Sequence, residues 1–514
     1  MKFRANLVFN CKKIIRAKRP WVYPALAILC LIHISCIKKL DLYQGDKDKD
    51  NGKNQTKEQI VVCEPDFFYP FDKEVPQINT KLTIHTRTKL PENIEGMRTE
   101  IPPLKYNKSW LFLLTQDDCK QAAFSCTWAA INGQPLSDSY FYDLAHVQAG
   151  DFPPDAYYLG KTLGSTDGAG NNIRFSFTTT LSPEWEYMDK TTTVHKGYKD
   201  NFYRFYMKDG LFWGNVKEML NYGVGIAFHD LYVDNADKYN EDVLLTHLDK
   251  AHEIIQNKLG RDCKMLARPD GNNTHISAGK RATYVQTMTT ESEGSKLYPA
   301  LTSDLYKVAI ERSFYNSAKG DPQSSPDKIK EAVINELAKD EEDRAAICVG
   351  VHGTDREWVN LFLWLNDEYG KDGKDNMWMP SQEEYYEYTC YRRDGQISVR
   401  RIDDNTLELT IEANGGSTFC YPSVTVNLYG IETKDIVSVD TDENITGFSY
   451  ADFKEKGCVM MNIDSRKYLT EHAENFVKRY EANPTVKANK DDALYFVSML
   501  KESDKKSELL KRIK

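Results

Sequence analysis

The 514-residue chain has no excess of basic residues: 67 Lys and Arg against 76 Asp and Glu give a formal charge of −9 and a pI near 5.7. Without a basic surface to neutralise phosphates, nothing marks it as a nucleic-acid-binding protein. Eleven cysteines are present, but none has the CxxC spacing of a zinc or redox site. No internal repeat is visible, which argues against a helical-repeat architecture. There is no phosphate loop either. The cluster Gly164-Ser-Thr-Asp-Gly-Ala-Gly170 has neither the lysine of a P-loop nor the spacing of a dinucleotide turn. It reads as loop geometry near a binding face.

What is present begins with length: 514 residues exceed one ordinary core, so two or three domains are expected. Aromatic residues make up 12% of the chain; such side chains stack on sugar rings, though more of them fill cores. At the N-terminus, Lys12, Lys13, Arg16, Lys18 and Arg19 precede an apolar stretch at 23–34. That stretch falls short of the roughly 20 residues needed to span a bilayer and has the layout of an export signal. It ends on Ile34-Ser35-Cys36, which resembles the lipobox of bacterial lipoproteins, with His33 departing from the usual Leu. Residues 1–36 are thus expected to be a lipoprotein signal that leaves a lipid anchor on Cys36, with an uncleaved signal anchor as the alternative. Either way the rest is exported, and 37–75 is a polar tether. Eight cysteines follow Cys36; several, such as Cys348 and Cys420, lie in strand-like runs and read as small buried hydrophobes.

From 105 to 393, strand-like and helix-like segments alternate, the pattern of an α/β layer or barrel. Strand candidates lie at 110–115, 223–228, 263–267 and 345–351. Helix candidates lie at 243–258, 326–338 and 381–391, the last opened by a Ser381/Glu384 capping box. An excursion at 138–200 separates the first two strands. After Asp394, short alternating runs separated by polar turns predict a β-sandwich-like domain at 395–465. The alternating stretch 80–87 is a candidate to complete its sheet. Residues 466–514 read as helical, with a break at 483–491 where the chain runs Asn-Pro.

The run Trp110-Leu-Phe-Leu-Leu-Thr-Gln-Asp-Asp118 is a buried strand that stops on two carboxylates. Of the ten histidines, two end strand candidates: His229 after Phe228, and His352 after Val351. A further strand ends on Arg268-Pro-Asp-Gly271. If these strands are neighbours in one parallel sheet or barrel, their polar ends meet at the C-terminal rim. A carboxylate and an imidazole suit a divalent metal such as zinc. A second carboxylate and a second imidazole supply a base and an acid, and Arg268 can orient the base through a bidentate pair.

This order of motifs resembles the polysaccharide deacetylase, or NodB-homology, family of carbohydrate esterases over roughly 105–393, and the layout looks like exported proteins of Bacteroides-type bacteria. The resemblance implies a distorted (β/α) barrel at 76–394, with the C-terminal β-sandwich-like domain and helices appended. It also implies metal-dependent removal of acetyl groups from a glycan by a protein held at the outer membrane. Matched position by position, it implies Asp117 as base, Asp118 and His229 as metal ligands, Arg268 as the brace of the base, and His352 as general acid. The departures are specific. Val233 stands where the second histidine of the H-[ST]-x-x-H element would be, so Asp234, Asn235, Asp230 or His275 must supply a third ligand. Gln116 replaces Phe, Cys119 replaces Gly, and Asp270 replaces a proline. The alternative reading is a catalytically impaired carbohydrate-binding lipoprotein that keeps the fold.

Overall fold

The computed structural model describes residues 58–195, 202–206, 210–316 and 324–514. The leader, Cys36 and the first part of the expected tether lie outside the described residues; its remainder is not a tether, since Gln59–Val62 pairs with Thr191–Val194 and Cys63 and Tyr69 are buried. Eight strands form an all-parallel sheet: β1 (Trp110–Gln116), β2 (Thr178–Leu181), β3 (Gly225–Phe228), β4 (Met265–Ala267), β5 (Thr287–Thr290), β6 (Ala309–Glu311), β7 (Ile347–Val351) and β8 (Met377–Trp378). Their order is β6-β5-β4-β3-β2-β1-β7, with β8 beside the start of β1. A parallel bridge from Ser313 to Val349 joins the two ends, so the sheet is a nearly closed, distorted barrel. Every residue of β1, β2, β3, β4, β5 and β7 is buried, as expected of parallel strands covered on both faces.

The stretch 138–200, expected to be one insertion, contains a barrel strand. Thr178-Thr-Thr-Leu181 is β2, placed between β1 and β3. Three threonines disguise it as polar, yet all three are fully buried, and β-branched threonine suits a strand. The glycine cluster is also placed differently from expectation. It forms the hairpin Gly164–Thr166 with Asn172–Arg174, at the barrel end where strands begin. Asp167 accepts from Ala169 N at 2.8 Å and Ser449 Oγ at 2.7 Å, fastening the hairpin to the sandwich.

Two four-stranded antiparallel sheets make the sandwich. One has the order Gln396–Asp403, Thr406–Asn414, Gln77–Thr86, Ile436–Thr441; the other has Gly447–Phe453, Cys458–Asp464, Ser423–Tyr429, Thr99–Glu100. Gln77–Thr86 completes the first sheet, pairing on both sides, so segments before and after the barrel strands build this layer. Its alternation turns Ile78, Leu82 and Ile84 inward against Leu407, Leu409 and Ile411. The helix Gln382–Asp394 links sandwich and barrel. Ser381 caps it by accepting from Glu384 N, while the Glu384 carboxylate reaches Lys105 Nζ at 3.0 Å. On its buried face Glu387 takes Lys264 Nζ at 2.7 Å and the Cys420 and Tyr421 N–H groups. All eight cysteines after Cys36 are buried and free.

The C-terminal helices Leu469–Ala482, Lys487–Ser498 and Asp504–Arg512 pack on the barrel. The expected break is short: the chain is helical again from Lys487. His472 is fully buried among Phe67, Tyr69, Phe476 and Phe496, and its Nε2–H donates to the Asn221 carbonyl at 2.8 Å. Burial pushes this imidazole down to about 3. Its folded-state value therefore lies below the unfolded one. As pH falls below about 6.5, the unfolded chain binds a proton that the folded one refuses, and stability is lost at up to about 1.4 kcal/mol per pH unit until the folded value is reached. Urea unfolding of wild type and His472→Gln at pH 7 and pH 5 is expected to show the shallower acid loss in the variant. Parallel losses would contradict this assignment.

Candidate functional site

Each of the seven barrel strands β1–β7 is followed at once by a polar residue: Asp117, Ser182, His229, Arg268, Glu291, Arg312 and His352. Parallel strands end on the same side, so these residues crown one rim; all are buried except Glu291 and His352, which are partly exposed. In barrel order they run Arg312, Glu291, Arg268, His229, Ser182, Asp117, His352.

Asp117 is fixed twice. Its N–H donates to Val351 O at 2.7 Å, and its carboxylate receives both ends of the Arg312 fork at 2.7 Å. The bidentate pair expected of Arg268 is made by Arg312 instead. Arg268 donates to Glu291 Oε2 at 2.9 Å, Ser292 Oγ at 3.1 Å and Asn273. Glu291 Oε1 in turn takes Arg312 at 2.7 Å, so Arg268 reaches Asp117 only through a relay of three ion pairs. Arg312→Lys, which keeps the charge but loses the fork, is expected to lower kcat roughly a hundredfold, the order that a 1 Å misplacement of a reacting group costs. Arg268→Lys should lower it less. Equal losses in a steady-state comparison would contradict this order of bracing.

After Asp117 the chain turns sharply. Asp118 and Cys119 lie in the left-handed region, at φ 59° and 49°, where a side chain costs about 1–2 kcal/mol relative to right-handed backbone. The glycine that the family resemblance places at 119 would sit there without strain. Cys119 is held by Thr180 Oγ1, which accepts its N–H at 3.3 Å, and by Leu211 N, which donates to its carbonyl at 2.8 Å. The turn brings Asp118 to the face that His229 occupies. Fully buried Gln116 ties the next strand to this point: its amide donates to Thr354 Oγ1 at 3.3 Å and accepts from Thr127 Oγ1 at 2.8 Å. It thereby sets the loop that carries His352, whose ring lies 5.2 Å from Phe314.

Asp118, His229 and Asp230 present one ligand atom each, all within 4.8 Å of one another. His229 Nδ1–H donates to Ala267 O at 3.0 Å, so Nε2 is the nitrogen turned to the cluster, where a cation would take the place of its proton. Nε2 stands 3.5 Å from Asp118 Oδ1 and 3.9 Å from Asp117 Oδ2. Asp230 is oriented by Ser182 Oγ at 2.9 Å, and Asp118 by Lys120 Nζ at 3.3 Å. One imidazole and two carboxylates, each with an outer partner, make a three-ligand open set of the kind divalent catalytic cations occupy. The residues therefore fit such a metal.

Asp234, the third ligand expected beside Asp118 and His229, is not in this group. It is exposed, and its carbonyl closes a turn to Asp237 N at 2.9 Å. Val233 packs at the edge of the barrel core. His275 is buried, is pushed down to about 4 by burial and by His229, and also stays outside the group.

The electrostatics favour positive charge at the centre of the cluster. Burial opposes the charge on His229, but Asp117, the hydrogen bond to Asp118 and Asp230 outweigh it and push the imidazole up to about 9. Burial likewise opposes the charge on Asp118, yet its hydrogen bond to His229 and the His352, His229 and Lys120 charges hold its carboxyl well below the ordinary range. Asp230 is raised by burial and by the two neighbouring aspartates, against the pull of His229 and Ser182.

Fold and rim together define an α/β barrel with a carboxylate–imidazole centre backed by an arginine-held aspartate. The family model described as "Putative polysaccharide deacetylase" matches residues 80–514, and the chain belongs to that family. No curated protein matches it.

Proposed function

We propose that the protein is a metal-dependent hydrolase that removes acetyl groups from a glycan, with Asp118, His229 and Asp230 as the metal ligands. The observation that carries this reading is the placement of the Arg312-held Asp117 beside a three-ligand cluster on one barrel rim. A bound divalent cation, zinc being the first candidate, polarises a carbonyl and lowers the pKa of water. Asp117 is kept in place by Arg312, and its Oδ2, the oxygen that faces His229, receives the proton of the attacking water. Ser182 orients Asp230 and Ala267 O orients His229, so the cluster is arranged before substrate arrives. His352 delivers a proton to the departing sugar nitrogen or oxygen. The acetyl C–N or C–O bond breaks, and acetate and a free amine or hydroxyl leave.

The basic–apolar leader and Cys36 support a further part of the reading, that the protein is exported and lipid-anchored at the outer membrane. The alternative of a non-catalytic glycan-binding lipoprotein draws on Val233 alone. A panel of N- and O-acetylated glycans, incubated with purified protein and zinc and assayed for acetate, separates the two. Release from at least one glycan is expected; binding without release from every member would favour the alternative.

A further inference from the structure

Beside the metal ligands stands a cation whose donors are only partly used. Lys120 is exposed, and its Nζ lies 3.3 Å from Asp118 Oδ2, while Asp118 Oδ1 faces His229 Nε2 at 3.5 Å. The carboxylate divides its two oxygens between imidazole and ammonium, which keeps Nζ beside the cluster rather than in it. An exposed lysine next to a carboxylate is ordinary, but the backbone of this one is pinned. Asp118 and Cys119 turn through left-handed backbone, and Lys120 then pairs across an antiparallel bridge with Gly210. The two chains run so close there that a Cβ at Gly210 would stand 2.6 Å from Cys119 O. Lys120 O accepts from Ala123 N at 3.0 Å, where the next helical segment begins. The side chain therefore leaves from a fixed point at the edge of the cluster.

An ammonium carries three N–H donors, and among the described residues Asp118 is its one ion-pair partner. The rim is otherwise balanced in charge. With both imidazoles neutral, the carboxylates of Asp117, Asp118, Asp230 and Glu291 are matched by Arg268, Arg312 and the two charges of a divalent cation. Lys120 is a positive charge beyond that balance, and its side chain is 46% exposed. A sugar that presents its acetyl group to the cluster brings its other substituents to this edge. A neutral substituent leaves the surplus charge to water, whereas an anion gains a charge-assisted hydrogen bond, the stronger kind. Resting on the deacetylase reading above, we infer that Lys120 receives an anionic group of the acetylated glycan, a carboxylate or a sulfate. The substrate is then an acidic polysaccharide, and Lys120 is the residue that selects it.

The test uses acetylated oligosaccharides in three matched forms: uronic, carboxyl-reduced, and carboxyl-reduced then sulfated at the same carbon. Zinc-loaded wild type is expected to show a kcat/KM about tenfold higher on a charged form than on the reduced one, the size of one charge-assisted hydrogen bond. The charged form it prefers names the anion. Lys120→Gln should abolish the preference, and Lys120→Arg should keep it. The ratio is the readout, so any slackening of Asp118 by the substitution, which acts on every form alike, cancels. No preference in wild type, or an undiminished ratio in Lys120→Gln, overturns the inference. Calorimetric binding of the same three forms gives the comparison without turnover. If wild type releases no acetate but binds a charged form more tightly, and Lys120→Gln loses that difference, the deacetylase reading fails while the acidic-glycan inference stands. Acetate release at equal rates from all three forms removes the inference and leaves the deacetylase reading.

Discussion

Replacing Asp117 by asparagine is expected to lower acetate release by about a thousandfold, within the 10²–10⁴ range of a positioned base. Asparagine keeps the shape but cannot take a proton at Oδ2, and its amide N–H group faces the Arg312 fork. The substitution also leaves Arg312 with Glu291 as its remaining carboxylate. Breaking a buried pair costs about 3–5 kcal/mol when nothing replaces it, so a smaller loss of stability accompanies the loss of rate. Circular dichroism at the assay temperature separates the two effects. The cluster of Asp118, His229 and Asp230 is untouched, so zinc binding should stay at one ion per chain. A folded Asp117→Asn protein that retains wild-type kcat would remove Asp117 from the chemistry.

The second large effect is expected at Asp230. Asp230→Ala should weaken zinc binding by more than about a hundredfold, since even outer partners of metal ligands are worth 10–100-fold. Asp234→Ala should leave affinity unchanged, because that carboxylate is exposed and outside the group. Asp230 also crowds two other aspartates in a partly buried place. Without metal, removing its charge should therefore leave the chain as stable as wild type or more so. A site that weakens the empty protein but holds an ion is the usual stability–function conflict. Competition titration with a chromophoric chelator and thermal unfolding of the metal-free proteins measure the two halves. Weaker binding in Asp234→Ala than in Asp230→Ala would reverse the ligand assignment.

The sequence shows four of the seven rim residues because their strands are continuous apolar runs. Trp110-Leu-Phe-Leu-Leu and Ala345-Ala-Ile-Cys-Val-Gly-Val351 declare themselves by composition. Ser182, Glu291 and Arg312 escape because β2 reads Thr-Thr-Thr-Leu, β5 reads Thr-Met-Thr-Thr and β6 has three residues. The signal available was the density of β-branched threonine, each run ending on a polar residue. Without β6 in view Arg312 has no place on the rim, and the bracing role goes to Arg268, a residue of the right type two strands away. Asp230 is legible in the sequence only as one of four alternatives for the third ligand. Side chains alternate only within extended strand, and β3 ends at Phe228, so the chain beyond it is free to turn neighbouring side chains toward one point. The sandwich was legible after residue 395 from its alternation. Its completion by Gln77–Thr86 was visible only as a matching pattern, since nothing local tells a strand that its partner lies more than 300 residues away.

The most direct test of the account is a titration of activity against metal. Protein stripped with a chelator and dialysed is mixed with increasing zinc, and acetate release from an acetylated oligosaccharide is followed. The account predicts no release from the stripped protein and a rise that saturates at one ion per chain, with Asp230→Ala remaining silent at that ratio. Full activity in the stripped protein, or saturation that Asp230→Ala shares with wild type, would contradict it.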